Sequence, residues 1–98
     1  MDYPIVHNPS QSQFELPIEG KNAVVDYFLS NGIMTITHTY VPQALEGRGI
    51  GSVLAGFVLD YAMENDFKVI PACWFIRRYL DRHPQYQILR VDNVKTEE

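Results

Sequence analysis

Between an extended run ending at Val41-Pro42 and a long apolar run from Val53 to Met63 lies Glu46-Gly47-Arg48-Gly49-Ile50-Gly51-Ser52, where three glycines alternate with other residues. No other stretch restricts the fold as much. Glycine reaches positive φ and carries no Cβ, so backbone N–H groups in such a loop can turn inward toward a ligand. Where a helix follows at once, its first N–H groups lack intrahelical acceptors and its dipole puts positive charge at the same end. Strand, glycine loop and helix in this order predict an anion cradle. Two better-known cradles do not fit. A Walker loop closes on Gly-Lys-Ser/Thr, whereas Arg48 stands inside these glycines with no lysine after them. A dinucleotide fingerprint has its third glycine three positions after the second, where this chain has Ser52.

Upstream, the signals are those of strands. Phe14, Leu16 and Ile18 alternate around Pro17, as in an edge strand, the location that tolerates proline. Glu19-Gly20-Lys21-Asn22 reads as a turn and Ala23 to Ser30 as a second strand. Asn31-Gly32 supplies the two positive-φ residues of a tight hairpin, and Ile33 to Val41 forms the third strand. In simple alternation Ile33, Thr35, Thr37, Thr39 and Val41 fall on one face and Met34, Ile36, His38 and Tyr40 on the other. Both faces are bulky or β-branched, so this strand is expected to be central. Downstream, Leu54, Phe57, Val58, Tyr61 and Ala62 form a helical stripe that Asn65-Asp66 ends. Phe67 to Ile70 is a short strand, parallel to the one before the loop by the usual right-handed crossover, and Pro71 stops it. Cys73 to Leu80 is a second helix, ended by Arg82-His83-Pro84, and Tyr86 to Val91 reads as a last strand.

The length of 98 residues suits one domain. Residues 1–12 hold two prolines and no periodicity and are expected to be a flexible leader; residues 13–91 form the domain and 92–98 a flexible tail. The net charge of -4 argues against a nucleic-acid partner and leaves room for a cationic substrate. No apolar run approaches membrane-spanning length and no basic-then-apolar signal opens the chain, so a soluble cytoplasmic protein without a membrane partner is expected. The lone Cys73 allows no internal disulfide, and no His, Cys, Asp and Glu share metal-ligand spacing, so no metal is expected.

The glycine stretch, preceded by a strand and followed by a helix, resembles the acyl-CoA pyrophosphate loop of the GNAT acetyltransferase superfamily, Gln/Arg-x-x-Gly-x-Gly/Ala. Gly49 and Gly51 stand at its two glycine positions, and Glu46 departs from it at the Gln/Arg position. The order of elements from about Phe14 to about Tyr86 is similar to the central part of that fold. Pro71-Ala72-Cys73, a tyrosine-bearing helix and His83-Pro84-Gln85-Tyr86 resemble a compact branch that lacks the helices covering the acceptor site. The resemblance implies an α/β protein of minimal GNAT-like fold, with a mixed, mostly antiparallel sheet and two main helices. It further implies an N-acetyltransferase using acetyl-CoA as donor and an amine, small or on a protein, as acceptor. By this resemblance Thr39, Tyr40 and Val41 and Ile70 to Cys73 line the pantetheine arm, and Gly47, Arg48, Gly49, Ile50, Gly51 and Ser52 hold the pyrophosphate.

Each chemical role has a plainer counterpart. Arg48 reaches a phosphate, or is a solvated loop arginine. Cys73 at a helix start carries the acetyl group as a thiolate, or is an apolar residue beside Trp74 and Phe75. Tyr79 matches the tyrosine that donates a proton to the departing CoA thiolate, or packs in the core. His38 deprotonates the amine through water, or faces a neighbouring aromatic. Arg77, Arg78 and Arg82 reach the adenosine phosphate, or pair with Asp81. Two other classes of function stay open: a CoA-binding protein without turnover, and a small interaction module whose glycine loop only caps a helix.

Overall fold

Two tight turns set the register of the sheet. Asn31 (φ 52°) and Gly32 (φ 77°), like Glu19 (φ 53°) and Gly20 (φ 75°), both adopt positive φ, the combination that matches the twist of two flanking antiparallel strands. In the computed structural model, which describes residues 3–91, these turns join β2 (Gln13–Ile18), β3 (Lys21–Ser30) and β4 (Ile33–Tyr40). A further strand, β1 (Val6–Asn8), lies antiparallel to β2 on its outer side. The crossover helix α1 (Ile50–Glu64) leads to β5 (Lys68–Pro71), parallel to β4, and α2 (Trp74–Arg82) follows. The five-stranded sheet has the order β1-β2-β3-β4-β5. Hairpin, central third strand, parallel fourth strand and both helices therefore agree with the sequence.

One layer of helix covers one face of this sheet. Phe14, Leu16, Val25, Met34, Ile36 and Val69 meet Leu54, Val58, Leu59, Ile76 and Leu80 in a single core. Burying each such side chain is worth about 1.5–3 kcal/mol relative to leaving it exposed, so this seam supplies the main driving force.

Four expectations are corrected. Val6–Asn8, within the stretch expected as a leader, is a strand. His7 stacks on Phe14 at 4.1 Å between ring centroids, and its Nε2 lies 2.6 Å from the Tyr27 hydroxyl. A strand of three residues is too short to show a periodicity in sequence. β2 is consequently not an edge over Gln13 to Glu15; Pro17 lies beyond the β1 pairing, where its missing N–H costs nothing. The segment expected as a final strand is a 3₁₀ helix over Pro84–Leu89 that buries Tyr86 and Leu89; after it Arg90 forms an isolated bridge to Val69, whose carbonyl accepts the Val91 N–H at 3.0 Å. Finally, the register shifts between Asp26 and Tyr27, opposite His38 and Ile36, so Thr37 is an inserted residue. This bulge reverses the alternation of β4: Thr39 pairs with the buried Val25 and shares the helix side, while His38 pairs with Asp26 on the open face. The expected tail, residues 92–98, lies outside the described residues.

Candidate active site

β4 and β5 separate where the site begins. Their ladder ends at Ile36 opposite Pro71, which has no N–H to extend it. The chain then turns, with Ala72 N–H donating to the Ile70 carbonyl (3.0 Å) and Cys73 N–H to the Ile36 carbonyl (2.9 Å), before α2 leads away. From Thr37 onward β4 has β3 alone as a neighbour, and the Thr37 bulge adds twist to the parting. The result is a cleft of 710 Å³, a size typical of ligand pockets. One wall is Thr37 to Val41, the other Ala72 to Phe75, and the floor at one end is Glu46, Gly47 and Gly49 to Ser52.

At that end Gly47 (φ 86°) and Gly49 (φ 75°) both occupy the left-handed region, with nothing within 4 Å of where a Cβ would stand. Gly49 is the N-cap of α1, and being glycine it offers no side chain to the first turn. The helical ladder starts with Val53 N–H to the Gly49 carbonyl at 3.1 Å, so the N–H groups of Ile50, Gly51 and Ser52 have no acceptor among the described residues. Three uncapped donors and a helix dipole point out of the end of a 15-residue helix into the cleft. Gly51 serves a different purpose: its φ is ordinary, but an added Cβ would come 2.9 Å from Phe75 Cζ. That close approach locks the start of α1 to the α2 wall.

Cys73 lies half-buried in the cleft wall as the N-cap of α2, its Sγ 3.5 Å from Thr39 Oγ1, a weak thiol-to-hydroxyl contact across the parted strands. Trp74 (62% exposed) and Tyr40 (50% exposed) stand on opposite walls of the cleft. His38 also lines it, from the open face of the sheet and without an aromatic partner among the described residues.

The structure thus brings together Thr39, Tyr40, Val41, Gly47, Gly49, Ile50, Gly51, Ser52, Cys73 and His38. Two expected residues lie elsewhere. Arg48 does not line the cleft: its guanidinium makes a bidentate pair with Glu19 (2.6 and 3.2 Å), which holds the glycine loop to the β2–β3 turn. The bond to Arg48, more than its charge alone, keeps the Glu19 carboxyl below its ordinary pKa. Tyr79 faces the other side of α2, stacked on His83 at 3.8 Å with its hydroxyl against Gly56 of α1, so a proton-donor role in the cleft is not supported. Ile70 and Pro71 are not among the residues that line the cleft. Arg77 donates to the Pro71 carbonyl, Arg78 covers the Trp74 ring, and Asp81 pairs with Arg90. Phe75 and Leu45 are cleft residues the sequence reading did not single out; the spacing of Phe75 opposite Gly51 emerges only in three dimensions. Among the described residues no group of three or more His, Cys, Asp or Glu gathers as for a metal, and no helix is long and apolar enough to cross a membrane.

The sequence model of the GCN5-related N-acetyl-transferase family matches residues 13–89, nearly the whole described chain. The chain belongs to that family. Its GCN5-related fold is shared with the NMR solution structure of a GCN5-like protein from Staphylococcus aureus, at a TM-score of 0.73 and 28% identity over 94% of this chain and 91% of that one. Among curated relatives, Protein NATD1 of Mus musculus is 35% identical over 87% of this chain and 80% of its own length, that of Homo sapiens 35% over 87% and 78%, and that of Danio rerio 32% over 84% and 79%. As a GCN5-related protein the chain is an N-acetyltransferase by family, with acetyl transfer as the general activity.

Proposed function

We propose that the protein transfers the acetyl group of acetyl-CoA to an amine, with the cleft between β4 and β5 as the donor site. The observation that carries this reading is the conjunction of parted strands with the uncapped start of α1: backbone donors for an anion at one end of a channel, and unpaired strand backbone along it. The N–H groups of Ile50, Gly51 and Ser52 suit the pyrophosphate. The β5-facing side of Thr37 to Val41 suits the amide groups of the pantetheine arm, which would add to β4 as another strand does. The thioester then reaches the Cys73 and Thr39 end. Glu46 lines the cleft where its carboxylate opposes the diphosphate, and so weakens donor binding.

Chemically, a neutral amine nitrogen attacks the acetyl carbon, the C–N bond forms, the C–S bond breaks, and CoA leaves as its thiolate. The ammonium proton passes to water or, through water, to His38. Cys73 offers a second route in which its sulfur takes the acetyl first, releasing CoA, and then yields it to the amine. The two routes differ in where the acetyl group is found midway. The open cleft and the negative net charge suit a cationic acceptor, a lysine-bearing or N-terminal segment of a protein or a polyamine, and a cytoplasmic location supplies both partners.

A non-catalytic CoA-binding role is favoured by one observation, the absence of Tyr79 from the cleft. Release of CoA thiol from acetyl-CoA in the presence of an amine panel separates the readings. Turnover at low acetyl-CoA that falls in Gly49→Asp supports the transferase; CoA binding with no thiol release above background for any amine supports the binding protein.

A further inference from the structure

A second hollow, of 600 Å³, lies between the outer face of α1 and α2 and meets the N-terminal segment. Its lining includes Tyr3, Phe57, Tyr79 and Tyr86, together with Asp60 and the backbone of Gly56. We propose that this hollow is a binding site for an organic ammonium group, such as a lysine or alkylated amine head on a flexible chain. The inference stands apart from the CoA reading, because Ser52 is the only residue the hollow shares with the cleft and none of the parted-strand residues enters it.

The chemistry of the lining selects a cation. Four aromatic residues and one carboxylate border the open hollow, and no lysine or arginine is among its lining residues. Electron-rich ring faces attract ammonium ions, and a carboxylate beside them adds a direct charge. Asp60 accepts the Tyr86 hydroxyl at 2.6 Å and has no cationic partner among the described residues. The Tyr79 hydroxyl, half-buried, has no hydrogen-bond partner among them, so an acceptor oxygen is available to an N–H of the ligand. Burial first, and then the Asp60 carboxylate, holds the Tyr79 and Tyr86 phenols above their ordinary pKa.

Two structural details preserve the arrangement. Stacking of His83 on one face of Tyr79, with His83 Nδ1 2.7 Å from the Tyr79 carbonyl, fixes the ring. A glycine in the middle of α1 otherwise weakens the helix. At Gly56 it makes room for this ring, since a Cβ would lie 3.1 Å from the Tyr79 hydroxyl oxygen. The family resemblance presented Tyr79 as a residue of the acetyl-transfer site; the orientation of α2 gives it to this hollow instead.

The test is a ¹H–¹⁵N titration of the full chain with tetramethylammonium chloride, against sodium chloride of equal ionic strength. Saturable shifts confined to Gly56, Phe57, Asp60, Tyr79 and Tyr86 are expected, and Asp60→Asn should weaken binding tenfold or more. If Asp60→Asn does not fold, Phe57→Ala, at a half-exposed ring, takes its place with the same expected loss. The proposal is overturned by shifts no larger than those with sodium chloride, by shifts centred on Glu46 to Ser52, or by unchanged affinity in the folded variant. It is also overturned if CoA moves the same amides and displaces tetramethylammonium, because the hollow would then hold the nucleotide end of the donor. Failure of the CoA reading alone leaves the ammonium titration unaffected.

Discussion

Replacing Gly49 by Asn and by Asp separates backbone from charge at the cradle. Gly49 sits at φ 75° with open space around its Cβ position, so neither side chain meets a steric obstacle. Left-handed backbone costs an ordinary L-residue roughly 1–2 kcal/mol, and Asn and Asp are the residues that tolerate it best. The two variants should therefore fold with similar, modest losses of stability. Their effect on CoA should differ sharply. Two like unit charges 4 Å apart repel by about 1 kcal/mol in water and by about 4 kcal/mol at an effective dielectric of 20. A carboxylate at the exposed N-cap of α1, opposite a diphosphate, falls between these limits, near 2–3 kcal/mol, or about 30- to 150-fold in Kd. Calorimetric titration with CoA at low salt should show that gap between Gly49→Asn and Gly49→Asp. It should narrow as salt rises toward 1 M, where the Debye length falls to about 3 Å. Equal affinities for the two variants at low salt, both still folded, would refute an anion at this helix start.

Further outcomes follow from the same geometry. Glu46→Gln removes the carboxylate from the cleft and should raise CoA affinity several-fold by calorimetry, while Arg48→Ala should change it little, because the guanidinium is engaged with Glu19. Gly51→Ala should bring the added methyl against Phe75; the overpacking penalty of about 1–3 kcal/mol exceeds the helix-propensity gain of about 0.5–1 kcal/mol, so the midpoint of thermal unfolding falls and CoA affinity falls with it. Tyr79→Phe should leave the rate of CoA thiol release within about twofold of wild type on the energetic scale of a lost general acid, which is typically 10²–10⁴-fold. Burial lowers the His7 pKa below 6.5, so folding favours the neutral ring: its stabilising effect is present above about pH 6.5 and is lost as pH falls through the lowered value. Amide exchange of Val6 to Asn8 should accordingly quicken on acidification from pH 8 to 5 relative to β3, and His7→Phe should remove that difference.

The parts of the fold that were legible in sequence are those fixed by local chemistry. Asn31-Gly32 demanded a primed turn, which set the β3–β4 register; a glycine loop ahead of the apolar run from Val53 announced α1, which begins one turn earlier, at Ile50; and a strand after a crossover helix had to run parallel to β4. The parts that were not legible depend on partners distant in sequence. β1 exists because His7 finds Phe14 and Tyr27, and Arg48 turns from the cleft because Glu19 lies 29 residues earlier on a neighbouring turn. The Thr37 bulge reverses the faces of β4 with no glycine or proline to announce it, which is why Thr39 and Cys73 meet across the gap while His38 borders the cleft from the open face of the sheet. Tyr79 lay one side of a helix from its expected place, a matter of how α2 packs against Gly56.

The central claim, that the β4–β5 cleft holds an acyl-CoA and presents its thioester beside Cys73, is tested most directly by titrating the wild-type protein with acetyl-CoA in a calorimeter and weighing the same sample as an intact protein. Binding is expected, weakened in Gly49→Asp by about 30- to 150-fold relative to Gly49→Asn. A mass gain of one acetyl group, lost in Cys73→Ala, would mark the Cys73 route, and binding without mass gain the direct one. No heat of binding from a folded protein would contradict the account.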